Sequence, residues 1–106
     1  MKLVRIAALS AALAIGAGAF GAHATQGEAA EWLRTGAMYQ LIHAVAAIAI
    51  VAISHRAAAL MLGGSALFAV TLYAMALGAP HWLGAVTPVG GLTMIMGWVL
   101  LALKAR

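Results

Sequence analysis

Charged side chains and turn residues divide this sequence into four apolar runs, and the length of those runs limits the fold more than any other feature. The runs, at 3–22, 37–54, 58–77 and 83–103, each hold about the 20 residues that a helix needs to cross the hydrocarbon core of a bilayer. None alternates as a strand does, and all are rich in Ala, Leu and Met. In hydrocarbon such segments satisfy their own backbone only as helices. A soluble chain of 106 residues needs a polar surface, yet only 8% of these residues are charged, 66% are hydrophobic and mean hydropathy is +1.07. The sequence therefore predicts an all-α membrane protein: a single domain over 1–106, with four transmembrane helices and short loops.

Basic residues then set an orientation. Lys2 and Arg5 open the first run, Arg56 lies between the second and third, and Lys104 and Arg106 follow the fourth, while Arg34 stands alone on the other side. The excess of Lys and Arg marks the cytoplasmic side, so both termini are expected there, in a multi-pass protein of the bacterial inner membrane. The same scatter argues against nucleic acid as a partner, because the cations form no patch interleaved with aromatic residues. With no cysteine in the chain, disulfides and thiolate metal sites are excluded.

The connections carry further expectations. The few residues around "SHRA" make the second and third helices an antiparallel hairpin. In the first outer loop Thr25 and Glu28 have capping-box spacing ahead of "EAAEWLR", which predicts a short interfacial helix with Trp32 at headgroup depth. Pro80 breaks the chain in the second outer loop, where Trp82 reads as another interface anchor.

Membrane helices associate through close backbone approach and side-chain hydrogen bonds, because apolar surface is equally well placed against lipid. Gly18 and Gly21 on the first helix, Gly36 on the second, and Pro88, Gly90, Gly91 and Gly97 on the fourth are accordingly the candidate packing positions. They suit either closure of the four helices into a bundle or pairing with another molecule. Lipid, a second copy or another membrane protein are thus the expected partners.

Polar side chains are costly inside such a bundle unless paired. His23, Tyr39, Gln40, His43 and Thr87 fall toward the predicted outer half, where Tyr73 also lies near the outer end of the third helix, and Tyr39, Gln40 and His43 share one helix face through i, i+3 and i, i+4 steps. These residues suit hydrogen-bonded fastening between helices. Alternatively, two imidazoles beside an amide suit handling of a proton or a small polar ligand, or ligation of haem. The His-x-x-x-His spacing of a two-histidine site on one helix is absent, and the predicted spans contain no Asp or Glu, no cysteine nucleophile and no phosphate-cradling glycine loop. The expectation is a protein that is not an enzyme, with no metal or cofactor, in a structural or interaction role.

Three stretches also carry a family resemblance: "GAFGAH" at 18–23, "TGAMYQLIHAVA" at 35–46 and "TPVGG" at 87–91. In this order and spacing the chain resembles the small membrane proteins grouped as domain of unknown function 423. That resemblance implies a four-helix bacterial inner-membrane protein with no activity to carry over. It places Gly18, Phe20, Gly21, His23, Thr35, Gly36, Tyr39, Gln40, His43, Thr87, Pro88, Gly90 and Gly91 on motif positions. It bears also on residues 1–24, whose basic start, apolar middle and Ala22-x-Ala24 could serve as a secretory signal. The run exceeds the usual 7 to 15 residues of a signal core, and the family pattern places His23 in a retained helix, so retention is expected.

Overall fold

The computed structural model describes residues 1–105; Arg106, one of the cations used to orient the chain, lies outside the described residues. Among the described residues every regular element is helical: α1 (Lys2–Ala24), α2 (Gly27–Ile50), α3 (His55–Ala76), a short 3-10 turn (His81–Ala85) and α4 (Thr87–Lys104). α1, α2, α3 and the stretch His81–Lys104 are each long and apolar enough to cross a membrane. The long axis of 43 Å spans a hydrocarbon core of about 30 Å with its interfaces.

The first loop differs from expectation. No separate interfacial helix forms, because α2 runs without a break from Gly27 to Ile50 and so begins ten residues ahead of the predicted start. Thr25 does not build a capping box. It ends α1 in extended conformation, and its hydroxyl donates to the Gly21 carbonyl at 2.9 Å, satisfying one of the acceptors left at a helix end. Ala-rich sequence with Glu at the start favours continued helix. Trp32 is thereby carried on α2, half-buried and edge-on to His81 at 5.2 Å, whereas Trp82 is exposed.

The other two turns end their helices by recognisable local chemistry. Ser54 caps α3, its hydroxyl accepting from the Ala57 amide at 3.1 Å. At the far end of α3, Gly78 has φ of 107°, a conformation that side chains with Cβ disfavour, and its amide donates to the Met75 carbonyl while that of Ala79 donates to Ala74. This is the Schellman ending. Pro80 and the 3-10 turn follow, and Pro88 then occupies the first turn of α4, where a missing amide hydrogen costs little.

Packing is a chain of neighbours: α1 lies on α2, α2 on α3 and α3 on α4, with no packed seam between α1 and α4. The bundle is thus built on the α2–α3 pair. Buried positions recur with the heptad spacing of left-handed helix packing, at seven-residue steps as Ala7, Ala14 and Gly21 on α1 and at three- and four-residue steps as Thr87, Gly90, Met94 and Gly97 on α4. The α3–α4 seam is the closest approach. A Cβ placed on Gly90 would stand 2.6 Å from the Gly64 carbonyl oxygen and from the Phe68 amide, and one on Gly97 would stand 2.9 Å from Met61.

Gly21 against Leu33 and Gly36 against Tyr73 are also tight, but against side chains rather than backbone, while Gly18 makes only ordinary contact with Ala37. Two predicted packing positions differ. Pro88 is exposed, and a Cβ on Gly91 would meet only the Phe68 ring at 3.9 Å, so neither forms a seam. The residue missed was Gly64.

Replacing Gly90 with Ala is expected to destabilise the protein by about 1–3 kcal/mol, the usual cost of forcing atoms into a filled interior. Gly63→Ala, where nothing lies within 4 Å, is expected to leave stability unchanged or to raise it by about 0.5–1 kcal/mol through helix propensity. Reversible unfolding in bicelles or mixed micelles measures both.

Candidate functional site

Gln40 and His43 are both buried on α2, one turn apart, and between them they reach all three other helices. Gln40 donates from Nε2 to the Ser10 hydroxyl on α1 at 3.0 Å and accepts at Oε1 from the Tyr73 hydroxyl on α3 at 2.6 Å. His43 accepts at Nε2 from the Trp98 indole on α4 at 3.0 Å. Its other nitrogen, Nδ1, lies 2.7 Å from the Tyr39 carbonyl. A carbonyl can only accept, and an indole N–H can only donate, so these partners assign the proton to Nδ1. Both ring nitrogens are spent. His43 cannot ligate an ion or take up a proton at Nε2 without losing Trp98.

The five predicted site residues do not meet as one cluster. His23 is exposed at the end of α1 and makes no hydrogen bond with Gln40 or His43. Tyr39 is partly exposed, with its ring tilted on Phe68 at 4.8 Å and stacked on His43 at 6.2 Å. Thr87 is buried in a separate pair, its hydroxyl 2.6 Å from that of Thr71 and 3.2 Å from the Leu83 carbonyl, which bridges the first turn of α4 to α3.

The position of His43 along its helix also differs from expectation. Because α2 begins at Gly27, His43 lies sixteen residues along it, about 24 Å at 1.5 Å per residue. That is beyond the middle of a 24-residue helix rather than near its outer end.

Four partners were not among the predicted site residues: Ser10, Thr71, Tyr73 and Trp98. Tyr73 and Ser10 had a usable signal, being polar residues inside apolar runs. Trp98 stands within a span rather than beside a loop, which is unusual for a belt tryptophan and could have prompted a search for an acceptor. Nothing in the local sequence pairs it with His43, fifty-five residues away.

Among the described residues no buried side-chain nitrogen or oxygen lacks a hydrogen-bond partner, and no three His, Asp or Glu side chains gather closely enough to share a metal ion. Beside His43 an apolar groove of about 540 Å³ opens between α2 and α4, walled by Tyr39, Phe68, Leu92, Ile95 and Trp98. Pro88 and Gly91 line the same groove. The arrangement fastens helices and leaves one ring-lined groove open to the surroundings.

Trp98→Phe, which keeps the ring and removes the donor to His43, is expected to lower stability by about 0.6–1.7 kcal/mol, the range for hydrogen bonds between membrane helices. Tyr73→Phe, which bares the Gln40 oxygen, is expected to cost a similar amount. His23→Ala, at an exposed position, is expected to stay within about 0.5 kcal/mol of the parent. Equilibrium unfolding of the three variants tests this ranking.

Comparison with known proteins agrees with the helical architecture. The family model described as a protein of unknown function, DUF423, matches residues 17–91. The UPF0382 membrane protein SAB0533 of Staphylococcus aureus is 36% identical, with 95% of this chain and 93% of that protein covered. UPF0382 membrane protein YwdK of Bacillus subtilis is 32% identical over 94% and 92% of the two chains. A UPF0382 membrane protein of Haemophilus influenzae is also 32% identical, over 95% and 90%. No solved structure matches. The match covers the glycines of the α1–α2 seam, the Gln40 and His43 turn and the start of α4. Four apolar helices, one family model and these full-length relatives together establish that the chain belongs to the DUF423 family of multi-pass membrane proteins.

Proposed function

We propose that this protein is a non-catalytic component of the bacterial inner membrane that acts through contacts of its transmembrane helices with a second copy or another membrane protein. The observation that carries the reading is the division between a satisfied interior and an uncovered first helix. Gln40, His43 and Thr87 are all engaged with neighbouring helices, which supports a fastening role for them over a reactive one. In contrast, only 11% of the most apolar part of α1 is buried. Leu9, Leu13 and Phe20 face outward, and nothing lies within 4 Å of a Cβ built on Gly16. A small residue between larger apolar ones allows another helix to approach closely.

The lack of native cysteine makes the test direct. Single-cysteine variants Leu13→Cys and Gly16→Cys are expected to give one discrete crosslinked species in native membranes, whereas Ala58→Cys, which is buried, gives none. Absence of any discrete product from the α1 positions would count against an interaction role for that face.

Orientation belongs to the same proposal. The end that holds both termini also carries Lys2, Arg5, Arg56 and Lys104, and the opposite end has Arg34 paired with Glu31 at 2.7 Å. The positive-inside rule assigns the first of these ends to the cytoplasm. In intact spheroplasts a membrane-impermeant maleimide is expected to label Gly78→Cys and to spare Ala105→Cys; the reverse pattern would invert the topology.

A second reading rests on the groove beside His43. Its aromatic walls suit a small apolar ligand, with Trp98 as the reporter. With Trp32 and Trp82 replaced by Phe, binding is expected to change the remaining indole fluorescence, and no change across a panel of apolar and quinone-like compounds would remove this alternative.

A further inference from the structure

We infer that the groove between α1 and α3, at the end carrying both termini, holds one anionic phospholipid with its phosphate against Lys2 and His55 and an acyl chain along the helices. Two adjoining hollows make the site. One, of about 310 Å³, lies among Lys2, Val4, Val51, Ala52 and His55. The other, of about 360 Å³, runs between Ile6 of α1 and Ala59, Gly63 and Ala66 of α3. They share Lys2, Leu3 and His55 as a common wall. A polar mouth thus continues into an apolar trough, which is the shape of an amphiphile.

Charge and length both select this occupant. Lys2 and His55 stand at the mouth, and Arg5 and Arg56 are their near neighbours in sequence. Glu28 and Glu31, the two acidic side chains of the chain, both lie at the opposite end on α2, so neither neutralises the mouth. Basic hollows between membrane helices attract anionic headgroups, where water is scarce and screening is weak.

From His55 to Ala66 is eleven residues of α3, about 16 Å of helix. This is close to half of a hydrocarbon core of about 30 Å, the depth of one leaflet. The trough stays open because Ala59, Gly63 and Ala66 are short, and a Cβ on Gly63 would meet nothing within 4 Å. An ion or a soluble phosphate ester would use the mouth alone. A phospholipid fills both parts.

The test is native mass spectrometry of the full chain, its intact mass confirming that Lys2 is present, in micelles with equal phosphatidylglycerol and phosphatidylcholine of identical acyl chains. The expected result is one retained phosphatidylglycerol, favoured about fivefold, the effect of roughly one Lys at a membrane surface. Lys2→Gln with His55→Gln is expected to bring the ratio of the two lipids toward one. Gly63→Leu, with Lys2 and His55 intact, is expected to lower retention of both lipids, and its helical melting profile verifies that it folds. Lys104→Gln, at the same end but outside the trough, is expected to change nothing. Equal retention of the two lipids by the parent, indifference to Gly63→Leu, or displacement by excess inorganic phosphate would each overturn the proposal.

Discussion

A membrane interior offers no water to a polar side chain, and this protein meets that constraint with two neighbouring residues of α2. Gln40 holds α1 and α3 through Ser10 and Tyr73, and His43 holds α4 through Trp98. Because the two lie three residues apart they point to nearby but distinct directions around α2, so one turn serves three neighbours. Each bond is modest, since the partially assembled helices in lipid also find partners. Their shared origin on one helix is what matters: the same turn sets the rotation of α2 against all three.

Backbone approach does the remaining work. Apolar surface gains nothing by leaving lipid for another helix, so seams must come from dispersion at short range, and dispersion falls quickly with separation. Gly64 and Gly90 let α3 and α4 meet almost backbone to backbone, and Gly36 leaves room for the Tyr73 ring that then reaches Gln40. The same physics explains the outward Leu, Ile and Val side chains of α4. They face a solvent in which they are at home.

The four spans and their helical character were legible because hydrophobicity over about 20 residues is a local property of the chain. The helix bounds were less so. Thr25 and Glu28 have the spacing of a capping box, yet Thr25 closes α1 and Gly27 opens α2. The continuity of α2 through Arg34 then moved His43 from the outer end to beyond the helix centre. Gly21, Gly36, Gly90 and Gly97 were legible as seam residues, but Gly64 was not separable from its neighbour Gly63. The first is packed against α4 and the second is open, and only the rotation of α3 distinguishes them.

By itself, then, the sequence determined membrane residence, four helices, the candidates for close packing and membership of a family, because run length, charge spacing and motif order are all written along one dimension. The tertiary structure decided which polar residues meet. His23 and His43 were equally eligible as neighbours, yet one ends exposed at a helix terminus and the other accepts from Trp98, fifty-five residues later. A hydrogen bond depends on the rotation and offset of two helices to within a fraction of an ångström. Those quantities come from the glycine seams and the Gln40 and His43 bonds acting together across the bundle, and no local stretch contains them.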